Sequence, residues 1–214
     1  NEGADELVFY DIGASTYDGV VSKEWVKAIA EKINIPFCVA GGIKSVEQAK
    51  IILNSGADKV SVNSPAIERP ELIHELANEF GSQCVVVGID SLMIEDDYIV
   101  YSKTGDENTA TNTSIKTIDW IEKVQELGAG EIVLNCMDRD GVRDGYDIYQ
   151  LNKMISISNI PVIASGGAGS MKDFKNVLTQ TNSSGALAAS VFHKNLFNIN
   201  DLKIYLKNES LNIR

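Results

Sequence analysis

Apolar runs and amphipathic segments alternate along the chain. Residues 6–11, 36–40, 59–63, 84–90, 131–135, 161–164 and 185–189 form seven short apolar runs, the pattern of strands. The run from Val85 to Ile89 is almost unbroken in β-branched residues, as expected of a parallel strand covered on both faces. Between the runs the apolar positions recur every three or four residues. A helix is predicted over 24–33 with Trp25, Ala28, Ile29 and Ile33 inward. Another covers 46–53, with Ser45 and Gln48 at capping-box spacing. A third, with Pro70 in its first turn, turns Leu72, Ile73, Leu76, Ala77 and Phe80 to the core. Further helices are predicted over 117–127, 148–155, 171–178 and 200–207, and 96–102 reads as part of a hairpin inserted in a loop. The alternation predicts a parallel α/β fold.

Two stretches repeat. Ile35 to Ser45 aligns without a gap on Ile160 to Ser170, and Gly3 to Phe9 on Gly128 to Leu134, both at an offset of 125 residues. Solenoid units run to about 20–50 residues, so this period indicates one doubled half-domain. An open doubly wound sheet gives no reason for the echo, or for a diglycine at both equivalent points. A (β/α)₈ barrel built from two halves does, and it has eight strands. The run at 84–90 lacks a mate within the chain. The expectation is therefore a single incomplete (β/α)₈ TIM-barrel domain over 1–214, with seven strands present and the first βα unit absent. The start at Asn1 fits a fragment or a trimmed start.

Composition narrows the function. Hydrophobic content of 44% and charged content of 23% are those of an ordinary globular protein. A net charge of −11 argues against nucleic acid as a partner. No apolar run approaches a membrane span, and no signal peptide is visible. Cys38, Cys84 and Cys136 are odd in number and scattered, which indicates reduced thiols and a cytoplasmic location rather than disulfides. Metal-ligand spacings are absent. His74 and His193 are poorly placed for a Ser-His-Asp set; His74 reads as a surface residue and His193 as one that caps or packs.

In parallel barrels the functional groups lie at the C-terminal ends of the strands. Those ends read Asp11, Gly41-Gly42, Asn63-Ser64, Asp90, Asp138-Arg139-Asp140-Gly141, Ser165-Gly166-Gly167 and Ser190, polar and glycine-rich where the strand bodies are apolar. Gly166 and Gly167 with Ser190 make one candidate phosphate cradle; Gly42 with Asn63 and Ser64 makes the other. Each diglycine precedes a helix opening at Ser45 or Ser170, where backbone N–H groups can meet an anion. Two cradles on one face suit a substrate with a phosphate at each end. The competing reading is that the glycines only make tight turns. Asp90 ends a buried strand at the barrel mouth and suits a general acid or base; a helix cap or a structural salt bridge is the alternative.

These strand ends resemble the cyclase subunits of imidazole glycerol phosphate synthase, from histidine biosynthesis. The resemblance rests on Asp5 to Ile12, Val39 to Ile43, Gly56 to Ser64, Val86 to Asp90, Asp140-Gly141 with Gly145-Tyr146-Asp147, Ala164 to Gly169, and Ala186 to His193. It implies a (β/α)₈ cyclase without a cofactor. Such an enzyme uses ammonia from a glutaminase subunit, in a heterodimer, to convert a bisphosphorylated ribulosyl aminoimidazole carboxamide ribonucleotide (PRFAR) to imidazole glycerol phosphate and the carboxamide ribonucleotide AICAR. Two aspartates do the acid–base work: Asp90 matches one, and the other is expected before residue 1, so Asp11 is not it. Substrate contacts are implied at Gly42, Asn63, Ser64, Thr104, Asp140, Gly141, Gly166, Gly167, Ala189 and Ser190. Glu6, Lys59 and Glu131 match an ammonia gate, and Asp58 the partner interface. Gly13 and Asn182-Ser183-Ser184 depart from the family pattern. The related isomerase of the same pathway is the alternative enzyme, although the run from Asp138 to Asp147 favours the cyclase. A truncated chain that only binds phosphate is the third reading. Seven strands without an eighth lead to the expectation that residues 1–214 alone lack cyclase activity and associate through an open edge.

Overall fold

The computed structural model describes residues 2–11 and 21–214; Ile12 and Gly13, both used in the family comparison, lie outside the described residues. The strands are β1 (Leu7–Tyr10), β2 (Phe37–Ala40), β3 (Lys59–Val62), β4 (Val85–Ile94), β5 (Asp97–Ser102), β6 (Thr111–Lys116), β7 (Glu131–Cys136), β8 (Val162–Ser165) and β9 (Gly185–Ala186). The helices are α1 (Lys23–Ala30), α2 (Val46–Asn54), α3 (Ser64–Glu68), α4 (Glu71–Phe80), α5 (Thr117–Glu126), α6 (Ile148–Ile155), α7 (Met171–Gln180), α8 (Ser190–His193) and α9 (Ile199–Asn208). Seven strands form one parallel path in the order β1-β2-β3-β4-β7-β8-β9, and β5 and β6 extend β4 as an antiparallel hairpin. The sheet curls with helices alternating along it, the barrel architecture expected from the repeat.

Strand side chains alternate between two apolar environments. Phe37, Val39, Val60, Val62, Val85, Val87, Ile132, Leu134 and Val162 belong to the large core shared with the helices. Their sequence neighbours Cys38, Val86 and Val133, with Val8, Ile163 and Leu187, form a separate small cluster on the other face. Side chains two residues apart share a face, so the inner face of the curled sheet also carries Glu6, Lys59 and Glu131 below this cluster, and Asn63, Asp90 and Asn135 above it. Strand register keeps these levels aligned: Val86 lies opposite Glu131 and Asp90 opposite Asn135.

The repeat is visible in backbone geometry. Gly41 and Gly166 both have left-handed φ, 133° and 89°. A Cβ on Gly41 would lie 2.8 Å from the Asp11 carbonyl, and one on Gly166 would lie 2.6 Å from the Cys136 carbonyl. The two contacts are related by the same 125-residue offset. The first glycine of each pair is therefore required by close packing against the preceding strand end, whatever the loop binds.

Three expectations need correction. Trp25 is 62% exposed and Ala28 is exposed too, because the inward side of α1 carries Val26, Ile29 and Ala30, with Ile33 packing just after the helix ends. Trp25 instead rests edge-on against Phe9. The last strand ends at Ala186 rather than at 189: Leu187 N–H still reaches the Ala164 carbonyl, but Ala189 turns the chain into α8. His193, expected to cap or pack, is exposed at the end of α8, while His74 is exposed on α4 as expected. Cys38, Cys84 and Cys136 are all free thiols. A buried polar cluster joins the sheet to two helices: the Ser91 and Thr117 hydroxyls are 2.7 Å apart, and Gln150 Nε2 donates to Ser91 Oγ at 2.5 Å. It fixes β4 against α5 and α6 one residue beyond Asp90.

Candidate active site at the strand ends

Asp90 lies where β4 leaves the parallel sheet and becomes one arm of the hairpin, paired with Asn135 on one side and Tyr101 on the other. Its half-buried carboxylate accepts three side-chain hydrogen bonds. Asn63 Nδ2 donates to Oδ2 at 2.7 Å, Thr104 Oγ1 to the same oxygen at 2.5 Å, and Asn135 Nδ2 to Oδ1 at 2.8 Å. The hairpin's purpose is local: the turn after β5 brings Thr104 back over the strand that carries Asp90. Ser64 Oγ anchors that turn by accepting the Lys103 N–H at 2.7 Å, and Lys103 Nζ pairs with Glu68 on α3 at 3.1 Å. Among the described residues Asp90 is thus neither a helix cap nor an ion-pair partner; its hydrogen-bond partners are neutral donors.

The residues expected to form two cradles stand in two groups flanking Asp90. Gly42 has φ 66° and Gly167 φ 108°, both conformations that glycine reaches without strain. Asn63 and Ser64 begin the short helix α3; Ala189 and Ser190 begin the short helix α8. Neither short helix has a side-chain cap. The longer helices after the diglycines do. Ser45 Oγ accepts the Gln48 N–H, and Gln48 Oε1 accepts the Lys44 N–H at 2.7 Å. Asp173 Oδ2 accepts the N–H groups of Gly169 and Ser170 at 3.0 and 2.7 Å. Part of each helix start after a diglycine is therefore engaged internally, whereas among the described residues α3 and α8 begin without a side-chain cap. Asp140 and Gly141 sit exposed in the turn after β7, and Asp138 Oδ2 accepts the Met93 N–H at 3.1 Å. Thr104, grouped above with the substrate contacts, bonds to Asp90.

At the opposite ends of the strands, three charges meet. Lys59 Nζ lies 3.0 Å from Glu6 Oε2 and 2.8 Å from Glu131 Oε2. Asp58 is exposed beside them, with Oδ2 accepting the Phe37 N–H at 2.8 Å. Between the charges and Asp90 lies the apolar inner cluster, where burial, aided by Glu131, pushes the Cys38 thiol up to about 12. Burial opposes the Lys59 ammonium, but hydrogen bonds and charge from Glu131 and Glu6 outweigh it and raise its pKa above 10.5. A folded value above the unfolded one stabilises the fold fully below pH 10.5, and the contribution is lost as pH rises through the raised value. Lys59→Met should therefore melt below the parent at about pH 8, with the gap closing above about pH 10.5. A gap constant across that range would show that Lys59 charge contributes nothing to stability.

The residue that sequence reasoning missed is Asn135. Its signal was present: a lone carboxamide interrupting the apolar run from Ile132 to Cys136. Among the described residues no cluster of three His, Cys, Asp or Glu side chains can hold a metal ion, and no helix is long and apolar enough to cross a membrane.

Comparison with known proteins shows the family. Residues 1–198 match the profile of the family described as "Histidine biosynthesis protein". The imidazole glycerol phosphate synthase subunit HisF of Pseudoalteromonas translucida is 60% identical over 214 residues, covering 99% of this chain and 83% of that protein. The HisF subunit of Vibrio cholerae is 58% identical over 215 residues, covering 100% of this chain and 84% of the relative, and the subunit hisF1 of Vibrio vulnificus matches at the same level. Identity of this order over nearly the whole chain leaves one assignment: the chain belongs to the histidine biosynthesis family, among the HisF cyclase subunits of imidazole glycerol phosphate synthase.

Proposed function

We propose that the strand-end site closes the imidazole ring of a substrate carrying a phosphate at each end, using ammonia delivered by a glutaminase partner. The observation that carries this reading is the position of Asp90 between two groups of glycine turns and short helices that begin without side-chain caps. Gly42, Asn63 and Ser64 hold one phosphate; Gly166, Gly167, Ala189 and Ser190 hold the other. Short helices directly after strands are a recurring phosphate-binding device in barrels of this kind. Asp140 and Gly141 close over the bound substrate from the turn after β7. Asp90 then exchanges protons with the reacting centre as ammonia adds and the ring closes, releasing imidazole glycerol phosphate and AICAR.

Ammonia enters from the other end. Lys59, Glu6 and Glu131 form its gate, and the inner apolar cluster conducts the neutral molecule toward Asp90. The synthase names of the relatives denote subunits of a larger assembly, which supports a heterodimer with the glutaminase docked near Asp58. A cytoplasmic location follows from this metabolic role and the reduced thiols.

The test uses the full-length protein with its glutaminase partner and compares free ammonium with glutamine as nitrogen source. Lys59→Met should keep ammonium-dependent turnover within about 3-fold while glutamine-dependent turnover falls about 10-fold or more, because only the second route crosses the gate. Equal losses in both assays would remove Lys59 from ammonia delivery. Ser190→Ala should raise KM about 10-fold at unchanged melting temperature, as expected for one lost charge-assisted hydrogen bond to phosphate. An unchanged KM would remove Ser190 from the cradle.

A further inference from the structure

The carboxylate of Asp90 is gripped unequally. Oδ2 accepts two hydrogen bonds, from Asn63 and Thr104, which occupy both of its lone pairs. Among the described residues Oδ1 accepts one, from Asn135, which leaves its second lone pair available. A carboxylate's terminal torsion is broad and twofold, so its plane is held only by partners on both oxygens. Asn135 is the partner that does this for Oδ1.

The two carboxamides also differ. Asn63 Oδ1 is buried with no hydrogen-bond partner among the described residues, so that side chain is engaged there at one end. Asn135 is engaged at both: Nδ2 donates to Asp90, and Oδ1 accepts the Ser165 hydroxyl at 3.3 Å. An ionised carboxylate only accepts, which fixes the orientation of the Asn135 amide with nitrogen toward Asp90 and oxygen toward Ser165. Ser165 is the last residue of β8 and leads directly into Gly166-Gly167. A Cβ on Gly166 would lie 3.1 Å from Asn135 Oδ1, so the glycine leaves room for the carboxamide. The equivalent position in the first half of the chain is Tyr10, which has no carboxamide, and the chain of bonds is built once.

We infer that Asn135 is the positioning residue of Asp90. It presents Oδ1 as the proton-exchanging oxygen, and through Ser165 it ties that oxygen to the Gly166-Gly167 cradle. The inference rests on the reading of Asp90 as the acid–base group.

The experiment is steady-state kinetics of the full-length protein with PRFAR and saturating ammonium, with thermal melts on each variant. Asn135→Leu preserves side-chain size and removes both hydrogen bonds. Its kcat should fall about 10- to 100-fold with KM within about 2-fold, the scale expected when a reacting group is misplaced by a fraction of an ångström to an ångström. Ser165→Ala, a small change at the rim, should lower kcat about 3-fold, again at constant KM. Because Ser165 acts through Asn135, the double variant should be no slower than Asn135→Leu alone. Asp90→Asn separates the two levels of the argument. If it keeps normal turnover, the acid–base reading fails and this inference with it. If it is inactive while Asn135→Leu keeps normal kcat, or while the two single effects multiply in the double variant, only the inference is overturned.

Discussion

Asp90→Asn lowers turnover by about 10²- to 10⁴-fold, the usual contribution of a general acid or base. The substitution is nearly isosteric, and the site tolerates it structurally for a specific reason. Oδ1 keeps its role as an acceptor of the Asn135 amide if the new carboxamide places its oxygen there. The new nitrogen then faces Asn63 Nδ2 and Thr104 Oγ1; the hydroxyl can turn to accept, and the Asn63 amide can flip to present its unpartnered oxygen. The fold therefore survives while proton exchange does not, and KM moves little because the proposed phosphate cradles are untouched. Turnover measured with ammonium, together with the melting curve, checks this. Near-normal turnover would exclude Asp90 from the chemistry.

Gly167→Ala destabilises the protein by about 2–4 kcal/mol, enough to lower the melting temperature of a chain this size by about 5–15 °C. The residue has φ 108°, and an added Cβ would lie 2.2 Å from the Gly145 carbonyl and 3.0 Å from Arg139 Cβ. The Gly145 N–H in turn donates to the Gly167 carbonyl at 2.9 Å, so the loop after β7 and the diglycine are packed backbone to backbone. Substitution at Gly167 thus reports on folding and binding together, and the cradle is better tested through Ser190. Gly141, with φ 74° but nothing within 4 Å of its Cβ position, is the control: Gly141→Ala should cost about 1–2 kcal/mol, from backbone conformation alone. Urea melts of the two variants decide the matter. Equal, small losses would mean that the diglycine is retained for the ligand and not for packing.

The sequence by itself determined the barrel class, the strand positions and the repeat, because buried parallel strands and amphipathic helices impose different periods on the same chain. Val85, Val86, Val87 and Ile89 read as a doubly covered strand, and Leu72, Ile73 and Leu76 as a core stripe; all seven are buried as read. The same periodicity misassigned Trp25, since a short helix with apolar residues on two sides leaves the choice to its neighbours. The polar, glycine-rich strand ends brought Asp90 and most of the candidate cradle residues into view, and the family resemblance added Thr104, Ala189 and the charges Glu6, Lys59 and Glu131.

Only the tertiary structure decided how those residues engage one another. Hydrogen bonds between side chains at positions 63, 90, 104 and 135 depend on strand order and on a hairpin that folds back over its own strand, neither of which a local pattern encodes. The same holds for the caps at Ser45 and Ser170: whether a helix start is free to bind an anion depends on where Gln48 and Asp173 point. The grouping of Glu6, Lys59 and Glu131 likewise requires a sheet curved enough to bring residues from three non-adjacent strands within 3.0 Å. Residue type and spacing follow from the chain's own periodicity; contact follows from curvature and register, which are properties of the whole sheet.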